Sequence, residues 1–102
     1  MPKPPTVGIF IKEYLLNNGP SSTYDIWLEF REYRHNLGHS APSYYSFYQN
    51  YIYRLKRLGL LKAISKERTR RGFDRVMIDV VAERLEDPAW NNVQKAYKEE
   101  FL

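Results

Sequence analysis

The sequence predicts a mainly helical α+β domain, in which three helices lead into a two-stranded β-hairpin and a C-terminal helix follows. Two observations predict this class. Apolar residues recur at the three- and four-residue spacing of a helix as far as Leu58, and again after Asp87. Between Leu60 and Val81 apolar residues alternate with polar ones, which is the period of a strand. A length of 102 residues supports one domain with one modest core.

The first two helices have recognisable ends. Thr6 can cap a helix that runs through GIFIKEYLLNN, and Gly19-Pro20 ends it. Ser22, followed three residues later by Asp25, resembles a capping box for a second helix that reaches about residue 36. Each helix has an apolar stripe that predicts one buried side.

The central helix is predicted from SYYSFYQNYIYRLKRLGLL, residues 43–61, with Ser40 or Ser43 as its cap and Gly59 as its stop. At 3.6 residues per turn, its inner stripe is Tyr44, Phe47, Tyr48, Tyr51, Leu55 and Leu58. The outward side carries amides, hydroxyls, a phenol and arginines, and the helix contains no acidic residue. These groups are typical of side chains that read base edges and hold phosphates.

The segment after this helix concentrates the positive charge. From Arg54 to Arg75 there are nine basic residues against Glu67 and Asp74, a charge of +7, so the rest of the chain carries −3 of the net +4. LLKAISK and GFDRVMIDVV predict the two strands, and ERTRRG, with Gly72, predicts the turn between them. Such a basic hairpin indicates a polyanionic partner.

The C-terminal segment begins with Asp87-Pro88, a typical helix start, followed by AWNNVQKAYKEEFL. Its apolar side could fold back on its own domain or pair with a second copy of the chain.

Other classes of function find little support. The chain has no cysteine, no glycine-rich phosphate loop and no clustered pair of acids on an apolar background, so we expect neither an enzyme nor a cofactor. His35 and His39 lie four apart without a third ligand nearby, and no metal site is expected. There is no signal-peptide pattern and no apolar run near the ~20 residues that span a bilayer, so the expected location is cytoplasmic and nucleoid-associated.

With these elements in order, residues 22–81 resemble the winged-helix (winged helix-turn-helix) DNA-binding family. YIYRLKRLGLLKAI is similar to the end of that family's recognition helix, where LxxLGLL leads into the wing, and the ERTRRG hairpin resembles the wing. The connector before the central helix is longer than the tightest helix-turn-helix turn, and the helix is unusually rich in tyrosine. Its base contacts therefore cannot be copied from a known code.

The resemblance implies that Ser43–Leu58 enters the major groove of double-stranded DNA. The candidate contacts on this helix are Ser43, Tyr45, Ser46, Gln49, Asn50, Tyr53, Arg54 and Arg57. The candidate wing contacts are Lys66, Arg68, Arg70 and Arg71. The layout is similar to PadR-type regulators, which dimerise through a C-terminal helix; this implies a homodimer with an interface at Trp90, Val93, Tyr97 and Phe101.

The expected organisation is therefore a disordered arm at residues 1–5, a winged-helix domain at 6–82 and a C-terminal dimerisation helix at 83–102. The function expected first is a homodimeric, sequence-specific transcriptional regulator. One alternative is a centromere-binding or DNA-coating protein of plasmid or chromosome partition, which spreads along DNA. Another is a winged helix that contacts proteins through an aromatic patch at Trp27, Trp90 and Phe101. RNA binding is weaker, because the tyrosines are expected mostly on the buried side.

Overall fold

Four main helices and a three-stranded antiparallel sheet make up an α+β fold. The computed structural model describes residues 6–68 and 74–102, with the backbone alone for 65–68, 74 and 75. The predicted arm at 1–5 and the hairpin tip lie outside the described residues. The elements are α1 (Val7–Asn18), β1 (Ser21–Ser22), α2 (Thr23–Asn36), α3 (Tyr44–Phe47), a π-helical segment (Tyr48–Ile52), α4 (Tyr53–Arg57), β2 (Leu61–Arg68), β3 (Asp74–Val80), 3-10 turns at Ala82–Arg84 and Pro88–Asn91, and α5 (Val93–Phe101). The segments from Tyr44 to Arg57 run end to end as the central helix.

Side-chain caps set the helix starts, as the sequence predicts. The hydroxyl of Thr6 accepts a 3.3 Å hydrogen bond from the Ile9 amide, and that of Ser22 accepts one of 3.2 Å from the Asp25 amide. Ser43, rather than Ser40, caps the central helix, since its hydroxyl accepts from the Ser46 amide at 3.2 Å. These bonds satisfy backbone donors that have no partner in the first helical turn.

The end of the central helix also agrees with the prediction. Gly59 has φ of 82°, the left-handed conformation that glycine enters without strain. The next amide, that of Leu60, then donates back to the Leu55 carbonyl at 3.0 Å. This reversal sends the chain directly into β2.

The sheet has three strands, where the sequence predicts two. β2 and β3 form the expected antiparallel hairpin, starting from the pair Leu61 and Val80, with an irregularity between Ala63 and Ser65. The additional strand is β1, which pairs with β3 and gives the order β1-β3-β2. Two buried serines form it, and a strand of two residues leaves no alternation in the sequence to detect.

The core lies where α1, α2 and the central helix meet the sheet. Phe30 of α2 stacks on Phe47 of α3, with ring centroids 5.4 Å apart. Ile78 of β3 and Leu15 of α1 are both buried beside them. One hydrophobic cluster therefore joins the helices to the sheet.

The C-terminal helix begins later than the sequence predicts. Asp87 does cap a helical turn, since its carboxylate accepts from the Ala89 amide at 2.8 Å, but that turn is the 3-10 segment Pro88–Asn91. Asn92, with φ of −154°, breaks the helix and its side chain then caps α5. The break turns Trp90 into the core, where its indole donates to the Arg84 carbonyl at 2.8 Å.

Candidate nucleic-acid interface

The first half of the central helix presents its predicted polar side to solvent. Tyr45 is 71% exposed, and Gln49 and Asn50 are also exposed. Ser43 is exposed but its hydroxyl is occupied by the cap, while Ser46 is half-buried. No aspartate or glutamate occurs between residues 43 and 61. The amides and phenol on this side therefore remain available to a ligand that offers donors and acceptors.

A π-helical segment, Tyr48–Ile52, interrupts the α-helical period of this helix. A turn of π-helix holds about one residue more than an α turn, and one residue corresponds to a rotation of roughly 100°. Ile52, absent from the predicted stripe, is fully buried, whereas Tyr44, predicted inside, is 40% exposed. The sequence prediction is wrong for these two residues. Tyr44 lies in the first turn, before the π-helical segment, whereas Ile52 lies within that segment, which an unbroken period of 3.6 does not describe.

The second half of the helix is covered on one side by α5. The guanidinium of Arg54 donates a hydrogen bond to the side-chain oxygen of Gln94 and lies 4.7 Å from the centroid of the Tyr97 ring. The side-chain amide of Gln94 in turn donates to the Asn50 carbonyl at 2.9 Å. Arg54 is thus held by its own domain, and α5 comes close to the predicted reading surface at Asn50.

Arg57 is less enclosed. Its guanidinium lies 4.6 Å from the centroid of the Phe101 ring and donates a 3.2 Å hydrogen bond to the Tyr53 hydroxyl. Both Arg57 and Tyr53 are nevertheless exposed. Since a guanidinium carries five donors, Arg57 keeps capacity for a phosphate beside these contacts.

The four residues predicted as a dimer interface contact their own domain instead. Trp90 and Val93 are 0% and 4% exposed, so their side chains have almost no surface left for a second copy. The rings of Tyr97 and Phe101 pack on each other with centroids 4.9 Å apart. Each ring also contacts the guanidinium of one arginine of the central helix. Of the two alternatives left open by the sequence, the structure has the one in which this apolar side folds back. The homodimer itself stays a prediction.

The predicted wing contacts cannot be placed as side chains. Lys66 and Arg68 lie on β2, opposite Val76 and Asp74 of β3, and only their backbone is described. Arg70 and Arg71 lie outside the described residues. The two strands do extend the sheet toward these positions, as the hairpin prediction requires.

An aromatic cluster, which the sequence prediction missed, lies beside the start of the central helix. Tyr24 and Trp27 of α2 and Tyr44 of α3 have ring centroids 5.7 to 5.8 Å apart in all three pairs. The indole of Trp27 donates to the Pro42 carbonyl at 2.9 Å, and the guanidinium of Arg31 lies 4.7 Å from the Trp27 ring. The signal was present in the sequence, because Tyr24, Trp27 and Arg31 are spaced by three and four along one flank of α2.

A shallow groove of about 220 Å³ opens next to this cluster. We call it the aromatic groove; its lining includes Tyr24, Tyr44, Tyr48, Lys56 and Val76. Burial, with a smaller contribution from Tyr48, raises the pKa of the Tyr44 phenol above its ordinary value of 10.0. Like an unshifted phenol, it is neutral at physiological pH and can donate a hydrogen bond.

The remaining sequence expectations concern metals and membranes. Within residues 6–68 and 74–102, no three potential ligands of the His, Cys, Asp and Glu types come close enough to hold a metal ion. In the same part of the chain, none of the helices combines the length and apolar character that crossing a membrane requires.

Comparison of the chain with protein-family models, with curated proteins and with solved structures found no match. The functional assignment therefore depends on the residues and their geometry.

Proposed function

We propose that this chain is a winged-helix domain that binds double-stranded DNA in a sequence-specific manner, with the first half of the central helix in the major groove. The observation that carries the proposal is the open polar side of that helix. Tyr45, Gln49 and Asn50 are exposed on it, and no carboxylate interrupts it. Amides of this kind can form paired hydrogen bonds with adenine in the major groove.

The arrangement around the helix supports the same proposal. The chain turns at Gly59 directly into the β2–β3 hairpin, so the helix and the hairpin leave one core side by side. The sequence between Arg54 and Arg75 carries +7, which would favour the phosphate backbone on either side of the helix. Arg57 is the exposed guanidinium on the described part of this surface.

The fold limits how far the helix can insert. Because α5 lies against Arg54 and beside Asn50, the second half of the helix is screened on that side. Base contacts are therefore assigned to the turns from Ser43 to Asn50, and phosphate contacts to Arg57 and the wing. One helix for base contacts and one hairpin for phosphate contacts fit the role of a transcriptional regulator best.

Selection of binding sites from a random double-stranded DNA pool, at low and at physiological salt, tests the proposal. We expect an enriched motif that persists at physiological salt. A palindromic motif, with two chains per DNA in sedimentation analysis, would establish a dimer through a surface other than the buried side of α5. Binding without any motif would replace sequence reading by a DNA-coating role, and absence of binding at both salt concentrations would reject DNA as the partner.

A further inference from the structure

We propose that the aromatic groove binds an unpaired base of the DNA, so that the preferred substrate is a duplex that carries a single-stranded end or opening. This proposal rests on the proposed function and specifies its substrate class.

The rings beside the groove are exposed and held in place. Tyr24 and Tyr44 are 45% and 40% exposed, and they contact each other and Trp27. Trp27 is anchored by its hydrogen bond to Pro42, which joins α2 to the segment that leads into the central helix. Rings fixed before binding lose little entropy when a base stacks on them.

The charges around the groove suit a nucleic acid. Lys56 lines it, and Arg31 lies on the neighbouring Trp27 ring. Among the described residues that line the groove there is no aspartate or glutamate. An aromatic surface with adjacent cations, and without carboxylates, matches a base attached to its phosphate.

The size and position of the groove indicate one base next to a duplex. Its volume of about 220 Å³ is below the roughly 300 Å³ at which sites for whole small molecules begin. Tyr44 is also the direct chain neighbour of Tyr45, which is 71% exposed in the first turn of the proposed reading helix. A strand that leaves the duplex near the first turn of this helix would therefore pass the groove.

The test compares a blunt hairpin duplex that contains the selected site with the same duplex carrying a short thymidine overhang, using fluorescence anisotropy. We expect the full-length protein to bind the overhang duplex about tenfold more tightly, which is the size of one base–aromatic stacking contact. Quenching of Trp27 fluorescence should accompany this binding, since the second tryptophan, Trp90, is buried. Equal affinity for the two duplexes overturns the proposal while the proposed function stands.

Substitutions in the aromatic groove test whether the groove causes the preference for the overhang duplex. The double substitution Tyr24→Ala with Tyr44→Ala should remove the preference, whereas Tyr24→Phe with Tyr44→Phe retains the rings and should keep it. If the alanine protein does not fold, Lys56→Glu tests the same groove through its charge and should reduce the preference. Retention of the full preference by both the alanine and the Lys56→Glu proteins overturns the proposal.

Two further nucleic-acid probes distinguish base binding in the groove from duplex binding by the central helix. Binding of single-stranded oligothymidylate, with no binding of any duplex, would reject the proposed function and support the groove as a base site. About tenfold tighter binding of a uridine ribonucleotide overhang than of the thymidine overhang would overturn the assignment to DNA.

Discussion

The indole nitrogen of Trp27 donates a 2.9 Å hydrogen bond to the main-chain carbonyl oxygen of Pro42. This bond crosses from α2 to the last residues before the central helix, next to the Ser43 cap. The segment between them, residues 37–43, has no helical or strand structure of its own except a turn after α2. Trp27 thus links α2 to this connecting segment, in addition to the ring contacts between the two helices.

We predict that Trp27→Phe lowers the free energy of unfolding by about 1–3 kcal/mol, since it removes this hydrogen bond and part of the ring contact. Urea unfolding followed by circular dichroism measures the loss. Tyr24→Phe, which trims only a hydroxyl from the neighbouring exposed ring, is the matched control and should stay within about 0.5 kcal/mol. An equal effect of the two substitutions would contradict the role given to Trp27.

Gly8→Ala should destabilise the fold by about 1–3 kcal/mol through overpacking. A β-carbon at Gly8 would overlap the Trp90 carbonyl oxygen and approach the Val93 Cγ2 atom to 3.0 Å. This cost exceeds the roughly 1 kcal/mol by which alanine favours a helix over glycine. Asn17→Ala, at an exposed position of the same helix, should leave thermal stability unchanged or slightly raised. A more stable Gly8→Ala protein would show that α1 and Trp90 are not packed as described.

Substitutions in the central helix should separate its buried residues from its exposed ones. Ile52→Ala should cost about 2–5 kcal/mol because the side chain is fully buried. Tyr44→Ala should cost less than half as much, since the ring is 40% exposed. Chemical denaturation of the two proteins side by side measures the difference. An equal loss of stability in the two proteins would contradict the burial of Ile52 and the exposure of Tyr44.

Gln49→Ala and Asn50→Ala should each weaken binding to the selected site by roughly 1–3 kcal/mol, with a much smaller effect on random DNA. The reason is that paired hydrogen bonds to a base are lost only where that base is present. Isothermal titration with both DNAs measures the difference. Equal losses on the two DNAs would mean that these residues do not read bases.

Replacing Arg70 and Arg71 with alanine should weaken binding on all sequences and reduce the slope of log affinity against log salt by about 1–2 units. Lys98→Ala, which removes one exposed charge from α5, provides a comparison that should leave the slope unchanged. A salt slope unaffected by the double arginine substitution would exclude the wing from the interface.

The helix ends and the hairpin could be predicted because each has a local chemical cause. The caps at Thr6 and Ser22 and the glycine stop at Gly59 depend on residues within one turn. The strand β1 could not be predicted, since its two serines pair only because β3 lies beside them. The position of α5 was left open for a similar reason: an apolar side shows that a helix is buried, but not against which surface.

The candidate site also has one part that the sequence predicts and one part that it does not. Gln49 and Asn50 are exposed, as the outward side predicted from the sequence requires. The capture of Arg54 by Gln94 depends on residues forty positions apart and on the break at Asn92. Periodicity carries no information about such a contact.

The π-helical segment Tyr48–Ile52 also bears on how this chain should be aligned with others. A helix that contains it holds one residue more than an α-helix that covers the same contacts. A relative without the segment should therefore show a one-residue gap here, with its apolar residues spaced at an unbroken 3.6. An alignment forced through this point without a gap would place polar residues opposite Leu55, and would misjudge which positions of the helix are free to vary.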